Sequence, residues 1–124
     1  MILVDSYGWI EYLGGGPKAE KYARYISRTP TFEILTPSLV VFEVYRKVRK
    51  EKGEEKALEA QAHLEETRTV SLDTRLAAAA AEISLRTGLG TVDAVIYATA
   101  NQHRAELLTS DHHFKGLPNV TLIL

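Results

Sequence analysis

The 124-residue chain is 45% hydrophobic and 25% charged, the balance expected of one soluble globular domain. It has no cysteine, which excludes disulfides, thiolate nucleophiles and cysteine zinc sites and fits a reducing compartment, so the expected location is the cytoplasm. With 15 basic and 16 acidic residues the net charge is -1, so a nucleic-acid surface would have to be a local patch.

Met1 to Asp5 lacks the basic start and long apolar stretch of an export signal. Ile2 to Val4 is a short apolar, β-branched run of the kind buried on both faces of a parallel sheet, and Asp5 and Ser6 end it. Trp9, Ile10, Tyr12 and Leu13 recur at helical spacing until Gly14-Gly15-Gly16-Pro17 breaks the pattern, and Ala19 to Ser27 resumes it. The break lacks the Lys-Ser/Thr ending of a phosphate loop and follows a helix instead of a strand, so it is read as a helix break alone. Tyr22 and Tyr25 fall at core or interface spacing.

Ile34 to Thr36 predicts a second strand, and Pro37-Ser38 open a helix that runs to about Lys52 and stops at Gly53. A charged helix covers Glu54 to Glu66. Thr69 to Leu72 predicts a third strand, with Asp73 as N-cap of an alanine-rich helix ending at Gly88. Its apolar run, Leu76 to Ala81, is far short of the ~20 residues that span a bilayer, so no membrane span is expected. Thr91 reads as the cap of a largely apolar, buried helix from Val92 to His103. Leu107 to Thr109 and Val120 to Ile123 complete the strands. The alternation predicts an α/β fold over residues 1–124, a three-layer α/β/α sandwich around a parallel sheet of four to five strands.

Four acids sit where strands end or helices begin: Asp5, Glu43, Asp93 and Asp111. Ligands of such sheets bind beyond the carboxyl ends of the strands, and Asp5 and Asp111 occupy that edge. Asp93 falls in a first helical turn at the same edge, and Glu43 lies about 9 Å along its helix from Pro37, at ~1.5 Å per residue. Ordinary explanations compete. Asp93 suits a helix dipole, Asp111 suits a turn, and Glu43 has Arg46 and Lys47 within reach for a helix-surface ion pair. Asp5, directly ending an apolar strand, has the fewest such alternatives. Converging carboxylates repel one another unless a divalent cation neutralises them.

Leu3-Val4-Asp5-Ser6-Tyr7-Gly8-Trp9, Thr36-Pro37-Ser38 with Glu43, Thr91-Val92-Asp93-Ala94, and Leu108-Thr109-Ser110-Asp111-His112-His113-Phe114 occur in that order. Together they resemble the PIN domain, and in particular the toxin component of VapBC toxin–antitoxin pairs. The resemblance implies a PIN-like nuclease fold and a Mg²⁺- or Mn²⁺-dependent ribonuclease acting on RNA. It implies Asp5, Glu43, Asp93 and Asp111 as catalytic and metal-holding residues, Ser6 in support, a cognate antitoxin and a homodimer. Where the family often carries a further acid after its fourth aspartate, this chain has His112 and His113, which without a cysteine make a poor zinc site. His63 and His103 are expected at the surface.

Substrate phosphate calls for cations on the rim of such a pocket, and Arg46, Lys47, Arg49, Lys50 and Lys52 meet that need, although a solvated helix end explains them as well. Two other functions compete. A receiver-like phospho-acceptor domain has this size, but it would want adjacent acids after the first strand and a lysine ending a late one, whereas Asp5 is followed by Ser6 and Leu108 by Thr109. A catalytically inactive RNA- or protein-binding module of the same fold would have no reason to keep four mutually repelling charges.

Overall fold

The computed structural model describes residues 1–124 as a five-stranded parallel sheet flanked by six α-helices. The strands are β1 (Ile2–Val4), β2 (Ile34–Pro37), β3 (Arg68–Val70), β4 (Glu106–Thr109) and β5 (Val120–Leu122), in the order β3-β2-β1-β4-β5. The helices are α1 (Ser6–Gly14), α2 (Ala19–Ile26), α3 (Ser38–Lys52), α4 (Glu54–Glu65), α5 (Thr74–Thr87) and α6 (Thr91–Gln102). Two 3₁₀ turns, Thr31–Glu33 and His112–Phe114, lead into β2 and follow β4.

Parallel pairing requires a crossover after every strand, and such crossovers are right-handed. The chain winds from β1 outward to β3, then returns to the other side of β1 as β4 and β5. This places α1 to α4 on one face, where α1 packs on α2 and α3, and α3 on α4. The paired α5 and α6 cover the opposite face. The central strands are buried on both faces, with Leu3, Val4, Leu35, Leu107 and Leu108 all inaccessible or nearly so. On α6, every residue from Ala94 to Ala100 is buried, as its apolar circumference predicts.

Several boundaries differ from the sequence expectation. Pro37 closes β2 and caps α3, which begins at Ser38. The third strand pairs through Arg68, Thr69 and Val70 with Leu35, Thr36 and Pro37, so it starts and ends earlier than Thr69 to Leu72. Leu72 is left exposed. Thr91 is the first residue of α6, and Gly90 is its N-cap with no side-chain cap. Asp73 caps α5 by accepting from the Leu76 amide at 2.8 Å, and Gly88 ends that helix in the left-handed region. His63 is exposed, as expected, and His103 is half-buried. No helix is long and apolar enough to cross a membrane.

Candidate functional site

Because β1 continues into α1 and β4 into a 3₁₀ turn, the two acids that follow these strands double as caps. Asp5 is the N-cap of α1 and accepts from the Gly8 amide at 2.8 Å. Asp111 caps the His112–Phe114 turn and accepts from the His113 amide at 2.9 Å. Asp93 lies in the first turn of α6, and Glu43 in the second turn of α3. All four line one open cleft of about 410 Å³, together with Ser6, Tyr7, Lys18 and Ser110. The cleft lies beyond the β1–β4 seam, where the strand order reverses direction, which is where ligands of open α/β sheets sit.

Asp5 is the most constrained of the four. Its Oδ2 accepts from Thr109 Oγ1 at 2.7 Å, and its Oδ1 accepts from the Gly8 amide and, at 3.3 Å, from the Tyr22 hydroxyl. Thr109 Oγ1 also accepts from the Asp111 amide at 3.0 Å, so one hydroxyl registers two of the acids against each other. Gly8 makes this approach possible: a Cβ there would sit on the Tyr22 ring and 2.8 Å from Asp5 Oδ1. The Tyr22 hydroxyl also lies 2.8 Å from Ser110 Oγ, whose single proton is shared between Tyr22 and the Ile123 carbonyl at 2.9 Å. The floor of the cleft is thus braced from β1, β4, α1, α2 and the end of β5.

The electrostatics are those of an uncompensated acidic site. Burial raises the Asp5 carboxyl above its ordinary range, against the hydrogen bonds from Thr109, Gly8 and Tyr22. Burial also raises Glu43; the Ser6 hydroxyl offsets part of this, and the charges of Asp93 and Asp5 add to the rise. Asp93 is raised by burial and then by Asp111, with His113 working in the opposite direction. Lys18 is the one lysine or arginine that lines the cleft, and its ammonium is engaged with the Tyr7 ring at 5.7 Å and the Ile123 carbonyl at 3.5 Å. Carboxylate oxygens converging without a matching cation suit a hard divalent ion, so the donor set fits Mg²⁺ or Mn²⁺.

The polar stripe on α3 divides. Glu43 faces the acidic cleft and pairs with neither Arg46 nor Lys47; Lys47 bridges to Glu51 at 3.0 Å instead. Arg46, Arg49 and Lys50 line a separate, shallower groove of about 680 Å³ with Phe42 and Tyr45, while Lys52 approaches Gly14 near the α1 terminus.

Sequence reasoning did not single out Thr109 or Lys18, and it noted His113 only as standing, with His112, where a further acid is frequent. Thr109 stands in the run that carries Asp111, but its bond to Asp5 spans 104 positions and has no local signal. Lys18 lay in the segment read only as a helix break. Tyr22 is in the core, as its spacing predicts, and also holds Asp5; Tyr25 is exposed. One ligand atom from each of Asp93, Asp111 and His113 lies within 4.8 Å of the others.

With this geometry in view, the family model described as PIN domain matches residues 2–119. Among solved structures, a toxin–antitoxin complex from Klebsiella pneumoniae is similar with a TM-score of 0.86 and 22% identity, over 100% of this chain and 98% of that one. VapC20 of Mycobacterium tuberculosis, a sarcin-ricin loop cleaving toxin, gives 0.78 and 19%, over 95% of each chain. FitAcB from Neisseria gonorrhoeae gives 0.74 and 21%, over 100% and 97%. Comparison with curated proteins finds no match.

Proposed function

Since the chain belongs to the PIN domain family, we propose that residues 1–124 work as one metal-dependent endoribonuclease unit, the toxin of a type II toxin–antitoxin pair. The observation that carries this reading is the meeting of Asp5, Glu43, Asp93 and Asp111 in one cleft from four separate elements. Structures related in fold at low identity include a toxin–antitoxin complex and a sarcin-ricin loop cleaving toxin, which supports the toxin assignment and an antitoxin partner.

In this reading Asp5, Asp93 and Asp111 would hold Mg²⁺ or Mn²⁺ directly or through water, with Glu43 as a further ligand or as the group that orients the attacking water. When bound, such a cation supplies positive charge for the phosphate oxygens and makes water acidic enough to serve as a nucleophile near neutral pH. Asp5 keeps one orientation because both of its oxygens are engaged, so its share of the site is preorganised. Glu43, half-buried beside the Ser6 hydroxyl, is suited to orient an attacking water. Ser6 supports Glu43. Arg46, Lys47 and Lys50 would take RNA phosphates outside the acidic centre, and the exposed Phe42 beside them offers the antitoxin an apolar contact.

The receiver-like alternative has less support, since Asp5 is followed by Ser6 and not by a second acid, and Leu108 by Thr109 and not by a lysine. The protein also works in this reading as a homodimer in the cytoplasm. The test is cleavage of RNA by the purified protein with Mg²⁺ or Mn²⁺. Asp93→Asn and Asp5→Asn should each lower the rate by at least about a hundredfold, with folding checked by circular dichroism. Wild-type rates in both variants would refute the assignment.

A further inference from the structure

His113 stands at the rim of the cleft, beside Asp111 and Asp93, and is not itself one of the residues that line it. It sits in the His112–Phe114 turn with its Nδ1 3.0 Å from Asp111 Oδ1 and 3.9 Å from Asp93 Oδ2. Its backbone is fixed on both sides, by the bond from its amide to Asp111 and by Phe114, which is buried against Tyr97. Its ring is largely exposed and nevertheless turned towards two carboxylates. The neighbouring His112 is the same residue type on the same turn and lies outside this group.

We propose that His113 is a nitrogen ligand of the cation held by Asp93 and Asp111, and that it biases the cleft towards Mn²⁺ over Mg²⁺. The inference rests on the metal-dependent reading above and goes further, because it gives the site a mixed oxygen and nitrogen donor set. As it stands, the imidazole is a hydrogen-bond partner of Asp111. The oxygens of Asp93 and Asp111 and the Nδ1 of His113 are mutually close enough to share one ion. Mg²⁺ takes oxygen ligands and dehydrates reluctantly, and so gains little from an imidazole. First-row transition ions gain more from an imidazole than Mg²⁺ does, and Mn²⁺, although it gains least of that series, shares the preference of Mg²⁺ for carboxylate ligands. The histidines that follow Asp111 thus acquire unequal roles, His113 in the site and His112 outside it.

The test uses the full chain at about pH 8, where an ordinary imidazole is neutral. Pulsed electron paramagnetic resonance of bound Mn²⁺ should show a ¹⁴N coupling in the wild type and in His112→Ala, and none in His113→Ala. Binding titrations should show Mn²⁺ affinity falling about tenfold in His113→Ala, with Mg²⁺ affinity changed less than about twofold. Bound Mn²⁺ with no nitrogen coupling, or an equal loss of both ions in His113→Ala, would overturn the assignment and leave His113 as an orienting partner of Asp111. If the wild type cleaves RNA and binds Mn²⁺ without nitrogen coupling, only this inference falls. If no Mn²⁺ binds at all, the metal-dependent reading falls with it.

Discussion

Asp5, Glu43 and Asp93 carry a stability cost in the metal-free protein. Each is raised above its ordinary value, first by burial, and Glu43 and Asp93 further by neighbouring carboxylates. The folded metal-free protein therefore holds protons that the unfolded chain gives up. Their contribution to stability is present at pH values below the ordinary carboxylate range and is lost as pH rises through the folded values. Asp93→Asn should leave the melting temperature of the metal-free protein nearly unchanged at about pH 3 and raise it at about pH 7, a difference that calorimetry in EDTA would measure. A variant less stable than wild type at neutral pH would show that Asp93 is stabilised by its surroundings instead. Asp5, Asp93 and Asp111 were legible in the sequence because strand ends and helix starts are local features. Glu43 was not legible in the same way: Arg46 and Lys47 offered it an ion pair that the fold does not make, and only the resemblance separated the two readings. Thr109 and Tyr22 hold Asp5 across the chain, and no local pattern reports such a contact.

Among the elements, α1 and α2 pack together at Gly8 and Tyr22, directly beside Asp5. Gly8 lies inside α1, where alanine would normally favour the helix by up to about 1 kcal/mol. Here a Cβ would meet the Tyr22 ring and Asp5, and Tyr22 is fully buried. Overpacking of this kind costs about 1–3 kcal/mol, so the clash outweighs the propensity. Gly8→Ala should destabilise the protein by roughly 1–2 kcal/mol on that balance, read as a lower midpoint in urea. It should also weaken metal binding by moving Tyr22 off Asp5. A gain in stability would mean that the ring moves aside freely. The helices and strands themselves were largely legible from periodicity and breakers, as Gly53, Asp73 and Gly88 show. The third strand was displaced because its register follows its pairing with Leu35 to Pro37, and Thr91 looked like a cap because a threonine before an apolar helix usually is one.

Taken as a whole, the molecule keeps an acidic cleft at the seam between the two halves of its sheet, so a bound cation should tie those halves together. Mn²⁺ or Mg²⁺ in excess over its dissociation constant should raise the melting temperature by mass action, by about 2.7 kcal/mol of stability at a hundredfold excess. EDTA should reverse the effect, and Asp93→Asn should abolish it. Calorimetry that shows no shift in the wild type would argue against a cation at this seam. The sheet order has a further consequence during synthesis. A chain emerging from its N-terminus presents Asp5 and Glu43 early, but Asp5 lacks its Thr109 brace and the cleft lacks Asp93 and Asp111 until β4 has been made and docked on β1. The proposed RNA cleavage would therefore wait until Asp93, Asp111 and β4 are in place, late in the chain's own translation.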